Sequence, residues 1–191
     1  PFLWRDLFFP LSLFMGKRPD ILFCPAHYTP RFSPIPYIVT IHDLSHVFFR
    51  NEFLPKDLYK LTHWTRHAIK SARCIIAVSQ HTKADIVREY KVREDSVKVI
   101  PNGYSLPRVT KKVSEKIRQW TLSPYILFVS TLQPRKNIVT LIKAFAELVK
   151  IHKSINLIIT GKKGWLYQDI FERVSMLHIE NRVFFTGFAH N

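Results

Sequence analysis

With 191 residues, 47% of them hydrophobic and 23% charged, the chain can bury one large core or two small ones, and a disordered segment is excluded. Its formal charge of +15 comes from 29 Lys and Arg against 14 Asp and Glu, divided as 15 against 9 over residues 1–103 and 14 against 5 over residues 104–191. A positive field spread in this way, with no basic arm, attracts anions (nucleotide diphosphates, acidic lipid headgroups or nucleic acid) without choosing among them.

Pro1 to Met15 is strongly apolar, but Arg5, Asp6 and Pro10 interrupt it before it reaches the roughly 20 residues that a membrane span needs. It also lacks the layout of a signal peptide. It reads as a helix pair or a broken helix, packed in the core or lying on a membrane. Short apolar runs then predict strands at Asp20–Cys24, Tyr37–Ile41, Cys74–Val78 and Val97–Ile100, and later at Tyr125–Ser130, Asn156–Thr160 and Val183–Thr186. The runs are continuous rather than alternating, as in a parallel sheet covered on both faces. Cys24 and Cys74 each sit inside such a run, so both read as small buried hydrophobes in a reduced setting.

Helical patterns fill the intervals. Leu54–Ser71 places Leu58, Leu61, Thr65 and Ala68 on one stripe behind Pro55, a favoured first-turn residue. Ser79–Tyr90 opens on a Ser able to cap. Ile138–His152 turns Leu141, Ile142, Phe145 and Leu148 inward, and Trp165–His178 follows the Gly161/Gly164 loop. Alternating strands and helices predict a doubly wound α/β sheet. The alternation breaks after Ile100, where Pro101-Asn102-Gly103 is turn chemistry and residues 104–121 are polar and basic. The expected division is a first α/β domain over 1–103, a linker over 104–123 and a second α/β domain over 124–191.

In open parallel sheets, ligands bind beyond the carboxyl ends of the strands. After Tyr125–Ser130 come Thr131, Leu132, Gln133, Pro134, Arg135, Lys136 and Asn137, then a helix for which Asn137 is a plausible N-cap. A helix N-terminus with Arg135 and Lys136 beside it suits an anion: Arg offers a planar fork for phosphate oxygens, Lys a mobile point charge. Gly161-Lys162-Lys163-Gly164 allows close backbone approach and adds charge, but matches neither the P-loop nor the dinucleotide fingerprint. His42-Asp43 follows Tyr37–Ile41. His42 can donate to a sugar hydroxyl or phosphate or carry a proton, while Asp43 either orients it or caps the next turn. Ser79 is a helix cap that could also meet ligand. His63 and His67 stand i, i+4 around Trp64, but no Glu follows His63, so no metal site is expected.

Six segments in order resemble the family-4 (group 1) glycosyltransferases: PYIVTIHDLS (36–45), IIAVSQHTKADI (75–86), VIPNG (99–103), ILFVSTLQPRKN (126–137), LIITG (157–161) and VFFTGF (183–188). The resemblance implies the GT-B type of fold, with parts of two Rossmann-like doubly wound parallel-sheet domains, and transfer of a hexose with retention from a nucleoside-diphosphate sugar. The segment 131–137 looks like the branch with many mannosyl- and other hexosyltransferases of surface polysaccharide assembly. By the resemblance Lys136 contacts the donor diphosphate, His42 lies near the transferred sugar, and Asn102-Gly103 leads into the second domain. The commoner family pattern has Arg where this chain has Thr131, and Arg135 is expected to take over that role. No cofactor and no metal are implied, since the nucleotide sugar is itself the donor substrate.

The expected partners are that donor, a glycan or lipid-linked acceptor and an acidic membrane surface, with no nucleic acid; the expected setting is cytoplasmic, at the inner face of the cell membrane. The family's Gly-rich acceptor-side loop and its paired glutamates are not in these 191 residues, which by themselves are expected to be inactive and marginally folded. Two other readings stand beside this one: a non-catalytic basic module binding nucleic acid or membrane, and a different nucleotide-sugar enzyme.

Overall fold

The computed structural model describes residues 7–15, 19–106 and 115–188. The chain divides into two compact units, Pro1–Ser105 and Leu106–Asn191.

The first unit is built on four parallel strands, β1 (Leu22–Cys24), β2 (Tyr37–Ile41), β3 (Cys74–Ala77) and β4 (Val97–Val99), in the spatial order in which they occur in the chain. Register pairs Cys24 with Val39, Val39 with Ile75 and Ile75 with Val97. Parallel neighbours need long crossovers; residues 25–36 join β1 to β2 without a helix, and helices supply the other two. Helix α1 (Phe9–Met15) precedes β1, and the short α2 (Ser45–Phe48) follows β2. Helix α3 (Pro55–Ser71) starts at Pro55, whose missing N–H costs nothing in the first turn. Helix α4 (Gln80–Tyr90) is capped by Ser79 Oγ, which accepts from Thr82 N–H at 3.1 Å, and it ends at Lys91 in the left-handed region. The core joins Tyr37, Val39, Ile41, Ile75, Ala77 and Val97 of the sheet to Ala68 and Ile69 of α3 and Ile86 of α4. The stripe read for α3 is thus displaced: Thr65, Ala68 and Ile69 are buried, while Leu58 and Leu61 are half-buried.

The second unit has three parallel strands in chain order, β5 (Tyr125–Val129), β6 (Asn156–Thr160) and β7 (Val183–Gly187). Helix α5 (Glu115–Trp120) precedes them, so part of the stretch read as linker is helical; residues 107–114 lie outside the described residues. Helices α6 (Ile138–Ile151) and α7 (Gln168–Met176) make the crossovers. Ile138, Ile142, Phe145 and Ala146 of α6 are buried against Leu157 and Ile159 of β6 and Ile170 and Val174 of α7, while Leu141 and Leu148 lie at the margin of this core. Helix α7 starts three residues later than its pattern suggests, after Leu166 enters the left-handed region.

Coverage of both sheet faces holds for β2 and β6, which are buried along nearly their whole length, but not for β5, where Leu127 is 54% and Val129 69% exposed. Ile126 and Phe128 of β5 pack against the α6–α7 core, so the exposed side chains lie on the opposite face. On that face Trp120 of α5 stacks on Phe184 at 4.8 Å and its carbonyl accepts from Asn156 Nδ2, which leaves β5 open. The apolar N-terminal stretch is not core in its described part: Pro10 of α1 is buried, whereas Leu7, Phe8, Leu11, Phe14 and Met15 are exposed. Of the cysteines, Cys24 is buried and Cys74 half-buried, and both are free thiols.

Candidate functional site

In the second unit two loops meet beyond the carboxyl ends of β5 and β6. Ser130 N–H donates to Thr160 O, Leu132 N–H to Lys162 O and Gly164 N–H to Leu132 O, each at 2.9 Å, so the sheet is prolonged past its last strand residues. Glycine makes this possible. Gly161 has φ +152, and a Cβ there would stand 1.8 Å from the Ser130 carbonyl oxygen; at Gly164 it would stand 2.7 Å from that of Leu132. Zipped in this way, the first loop carries Thr131, half-buried, into a 3-10 turn at Pro134–Lys136. Arg135 and Lys136 are half-buried on this turn, immediately ahead of α6.

Asn137 does not cap α6 with its side chain, contrary to the sequence reading. It closes the 3-10 turn, donating its N–H to Pro134 O at 2.8 Å, and sits in the left-handed region at φ 52, which Asn tolerates well. The positive end of α6 thus has no side-chain cap. The Nε of Arg135 is buried without a partner among the described residues. Lys163 is engaged elsewhere, 5.1 Å over the rings of both Tyr167 and Phe171.

In the first unit the corresponding strand mouths bring together residues 25–29 after β1, 42–46 after β2 and 79–82 after β3. His42 is exposed, and its Nε2 lies 3.0 Å from the Pro25 carbonyl oxygen. Asp43 Oδ1 accepts the Ser45 N–H at 2.9 Å and the Ser45 hydroxyl at 2.5 Å, so it closes the turn into α2, the second of the roles open to it. Thr82 Oγ1 donates to the His42 carbonyl at 3.4 Å and meets Ser79 Oγ at 3.0 Å, which joins the cap of α4 to the His42 segment. Residues 101–106 are exposed and have neither a helix, a strand nor a hydrogen-bonded turn, so Asn102-Gly103 is an extended exit rather than a tight turn. Gly103 has open space where a Cβ would be.

Two histidines behind His42 escaped the sequence reading. His46 is 3% exposed, and His27 is partly buried; the Nε2 of each is buried with no partner among the described residues. Burial first, then the neighbouring His46 and His42, push His27 down to about 4 against the opposing pull of Asp43. His46 is lowered by burial, again against Asp43 and with Arg50 assisting. Lone histidines without periodic partners carry little signal, yet His27 follows β1 closely, and inspecting that strand end as the others were inspected would have found it. His63 and His67 do not converge: His63 Nδ1 bonds the Tyr59 carbonyl oxygen and His67 Nε2 that of Pro30. Among the described residues no three metal-ligating side chains are grouped. A cleft of about 440 Å³ between Arg31, Phe32, Tyr37, His67 and Ser71 opens at the start of β2, the end of the sheet opposite His42.

The family model described as Glycosyltransferase Family 4 matches residues 1–108, and that described as Glycosyl transferases group 1 matches residues 110–191. The chain is 26% identical over 159 residues to O-antigen chain mannosyltransferase B of Escherichia coli, covering 80% of this chain and 42% of that protein. To alpha-monoglucosyldiacylglycerol synthase of Streptococcus pneumoniae it is 25% identical over 166 residues, covering 80% and 36%. Among solved structures, HepE of Anabaena in complex with UDP and glucose superposes with a TM-score of 0.68 at 20% identity, over 94% of this chain and 50% of that one. Sucrose-phosphate synthase from Thermosynechococcus elongatus gives 0.66 at 18% identity, over 94% and 48%. The chain therefore spans about two fifths of these curated relatives and half of these structures, and its two parallel sheets are those of a GT-B type fold. No helix among the described residues is long and apolar enough to cross a membrane.

Proposed function

The chain belongs to glycosyltransferase family 4, and we propose that the protein transfers a hexose, mannose-like, from a nucleoside-diphosphate sugar to a glycan or lipid-linked acceptor with retention of configuration. The observation that carries this reading is the glycine-zipped cradle of the second unit, which sets Arg135 and Lys136 before the uncapped end of α6. Donors and dipoles fixed before reaction stabilise charge developing on a leaving diphosphate without reorganising. Lys136 supplies a point charge there. Arg135, whose Nε is buried without a partner among the described residues, supplies the planar fork that Thr131 cannot. His42 is the histidine that contacts the sugar, and Asp43 and Ser79 support the turns on either side of its strand mouth. The relatives named as a mannosyltransferase and as a glycolipid synthase favour a surface glycan or a lipid-linked acceptor. With such an acceptor, the excess of positive charge suits work at an anionic, cytoplasmic membrane face.

Calorimetric titration of the protein with a panel of nucleosides, nucleoside diphosphates and nucleoside-diphosphate hexoses tests the reading. Diphosphates should bind and the matching nucleosides should bind far more weakly. Lys136→Ala should weaken diphosphate binding about 10- to 100-fold, as loss of a charged hydrogen bond does. Equal affinity for nucleoside and diphosphate, or an unchanged affinity in both Lys136→Ala and Arg135→Ala, removes the diphosphate site.

A further inference from the structure

The geometry at His42 bears on which ring nitrogen meets the sugar, an inference that rests on the sugar-contacting role proposed above. A carbonyl oxygen only accepts, and that of Pro25 lies 3.0 Å from His42 Nε2. Nε2 therefore carries the hydrogen of the neutral ring, and the lone pair is on Nδ1. His42 is exposed, and no group of the described residues bonds its Nδ1.

Both ends of this arrangement are anchored. Pro25, with its φ fixed by the ring, directly follows Cys24, which is paired with Val39 in the sheet. Past it, Thr29 N–H donates to His27 O at 3.1 Å, the His27 ring lies 4.2 Å from that of Tyr28, and Tyr28 meets Trp64 of α3 edge-on at 5.5 Å. On the other side, the His42 carbonyl accepts from Thr82, which is tied to the Ser79 cap. The histidine is thus set by three consecutive strand ends.

We propose that the Pro25 carbonyl locks His42 in its Nε2–H tautomer, so that Nδ1 accepts a hydrogen bond from a sugar hydroxyl, with Tyr28 as the positioning residue that holds the 25–29 strap against Trp64 of α3. This deepens the site in one specific way. A neutral His42 so oriented offers an acceptor, which suits a hydroxyl and repels a phosphate oxygen, so the histidine selects the sugar part of a ligand. His27, buried and held at about 4, stays uncharged beside it at neutral pH and leaves that selection undisturbed.

Two-bond nitrogen–proton correlation spectra of the whole protein, with its histidines labelled, read the tautomer without any variant or turnover. His42 should show a protonated Nε2 and a bare Nδ1; a protonated Nδ1 in the neutral ring overturns the lock. Tyr28→Ala should shift His42 toward a mixture of tautomers; an unchanged spectrum removes Tyr28 as the positioning residue. Two substitutions then test the consequence. Asn puts its amide where Nδ1 stands, whereas Gln reaches only to Nε2. In a protein of its relatives' full length, His42→Asn should therefore keep hexose transfer within about tenfold of wild type, while His42→Gln, although able to bond Pro25, should lose about 100-fold. The reverse order overturns the acceptor role of Nδ1. Absence of transfer with every donor by a wild-type protein of its relatives' full length overturns the transferase reading, while the spectrum still decides the lock.

Discussion

Replacing Gly161 by Ala tests the cradle most directly, because the clash involves backbone that cannot turn away. The added Cβ would lie 1.8 Å from the Ser130 carbonyl oxygen and 2.6 Å from its carbon, where real contacts stay beyond 3.0 Å. The two loops must therefore part by more than an ångström, or Gly161 must leave φ +152, a conformation close to glycine's own. Holding Ala in such a region costs about 1–3 kcal/mol. Parting the loops breaks one or two of the bonds Ser130 N–H to Thr160 O, Leu132 N–H to Lys162 O and Gly161 N–H to Gly187 O, at roughly 0.5–1.5 kcal/mol each. The expected loss is about 2–4 kcal/mol, read from urea unfolding of the protein. Faster amide exchange at Leu132 and Gly164 and weaker diphosphate binding should accompany it. Gly103→Ala is the internal control: nothing lies within 4 Å of its Cβ and its φ is not positive, so it should shift stability by no more than about 1 kcal/mol, in the stabilising direction. If Gly161→Ala matches Gly103→Ala in stability and leaves the exchange of Leu132 unchanged, the zipped loops are not what shapes this site.

The first unit should lose stability on acidification. In the unfolded chain His27 takes up its proton near 6.5, in the folded one only near 4, so between these values the unfolded state binds more protons. Stability is then full above about pH 6.5 and falls as pH drops toward about 4, by roughly 3 kcal/mol in all; the lowered His46 acts in the same direction. Urea melts at stepped pH should show this slope in wild type and a shallower one in His27→Gln; equal slopes refute the assignment to His27. Ser79→Ala removes the one side-chain cap of α4 and the tie through Thr82 to the His42 carbonyl. It should cost about 1 kcal/mol, and Ser79→Thr should restore most of it in the same melts.

Much of the candidate site was legible because strand ends are legible. Apolar runs marked β2, β3, β5 and β6 to within a residue or so, and inspecting what followed each drew attention to His42, Ser79, Arg135, Lys136 and Gly161. Other features depended on which of several competing local hydrogen bonds forms. Asn137 has the composition of an N-cap, but the 3-10 turn before it places it at φ 52, and that turn exists because Lys136 and Asn137 donate back to Gln133 and Pro134. Asp43 could face His42 or Ser45, and only the entry into α2 decided for Ser45.

The amino-acid sequence by itself determined the alternation of strands and helices and the residue types available at each strand mouth, since these follow from local hydrophobic pattern, proline and glycine. What only the tertiary structure decided was which of those groups are shielded and which are shared. Tyr125, Leu127 and Val129 lie in as apolar a run as Leu157, Ile158 and Ile159, yet β5 is open on one face while β6 is buried. The difference lies in what covers the outer face: Trp120 of α5 stacks on Phe184 and its carbonyl holds Asn156 at the start of β6, while Leu127 and Val129 of β5 stay exposed. Likewise His27 and His42 are the same side chain near adjacent strand ends. One has its Nε2 buried and is held uncharged at neutral pH, while the other is exposed with its Nε2 on the Pro25 carbonyl, because desolvation and hydrogen-bond direction are set by how the strap and helices pack around each ring.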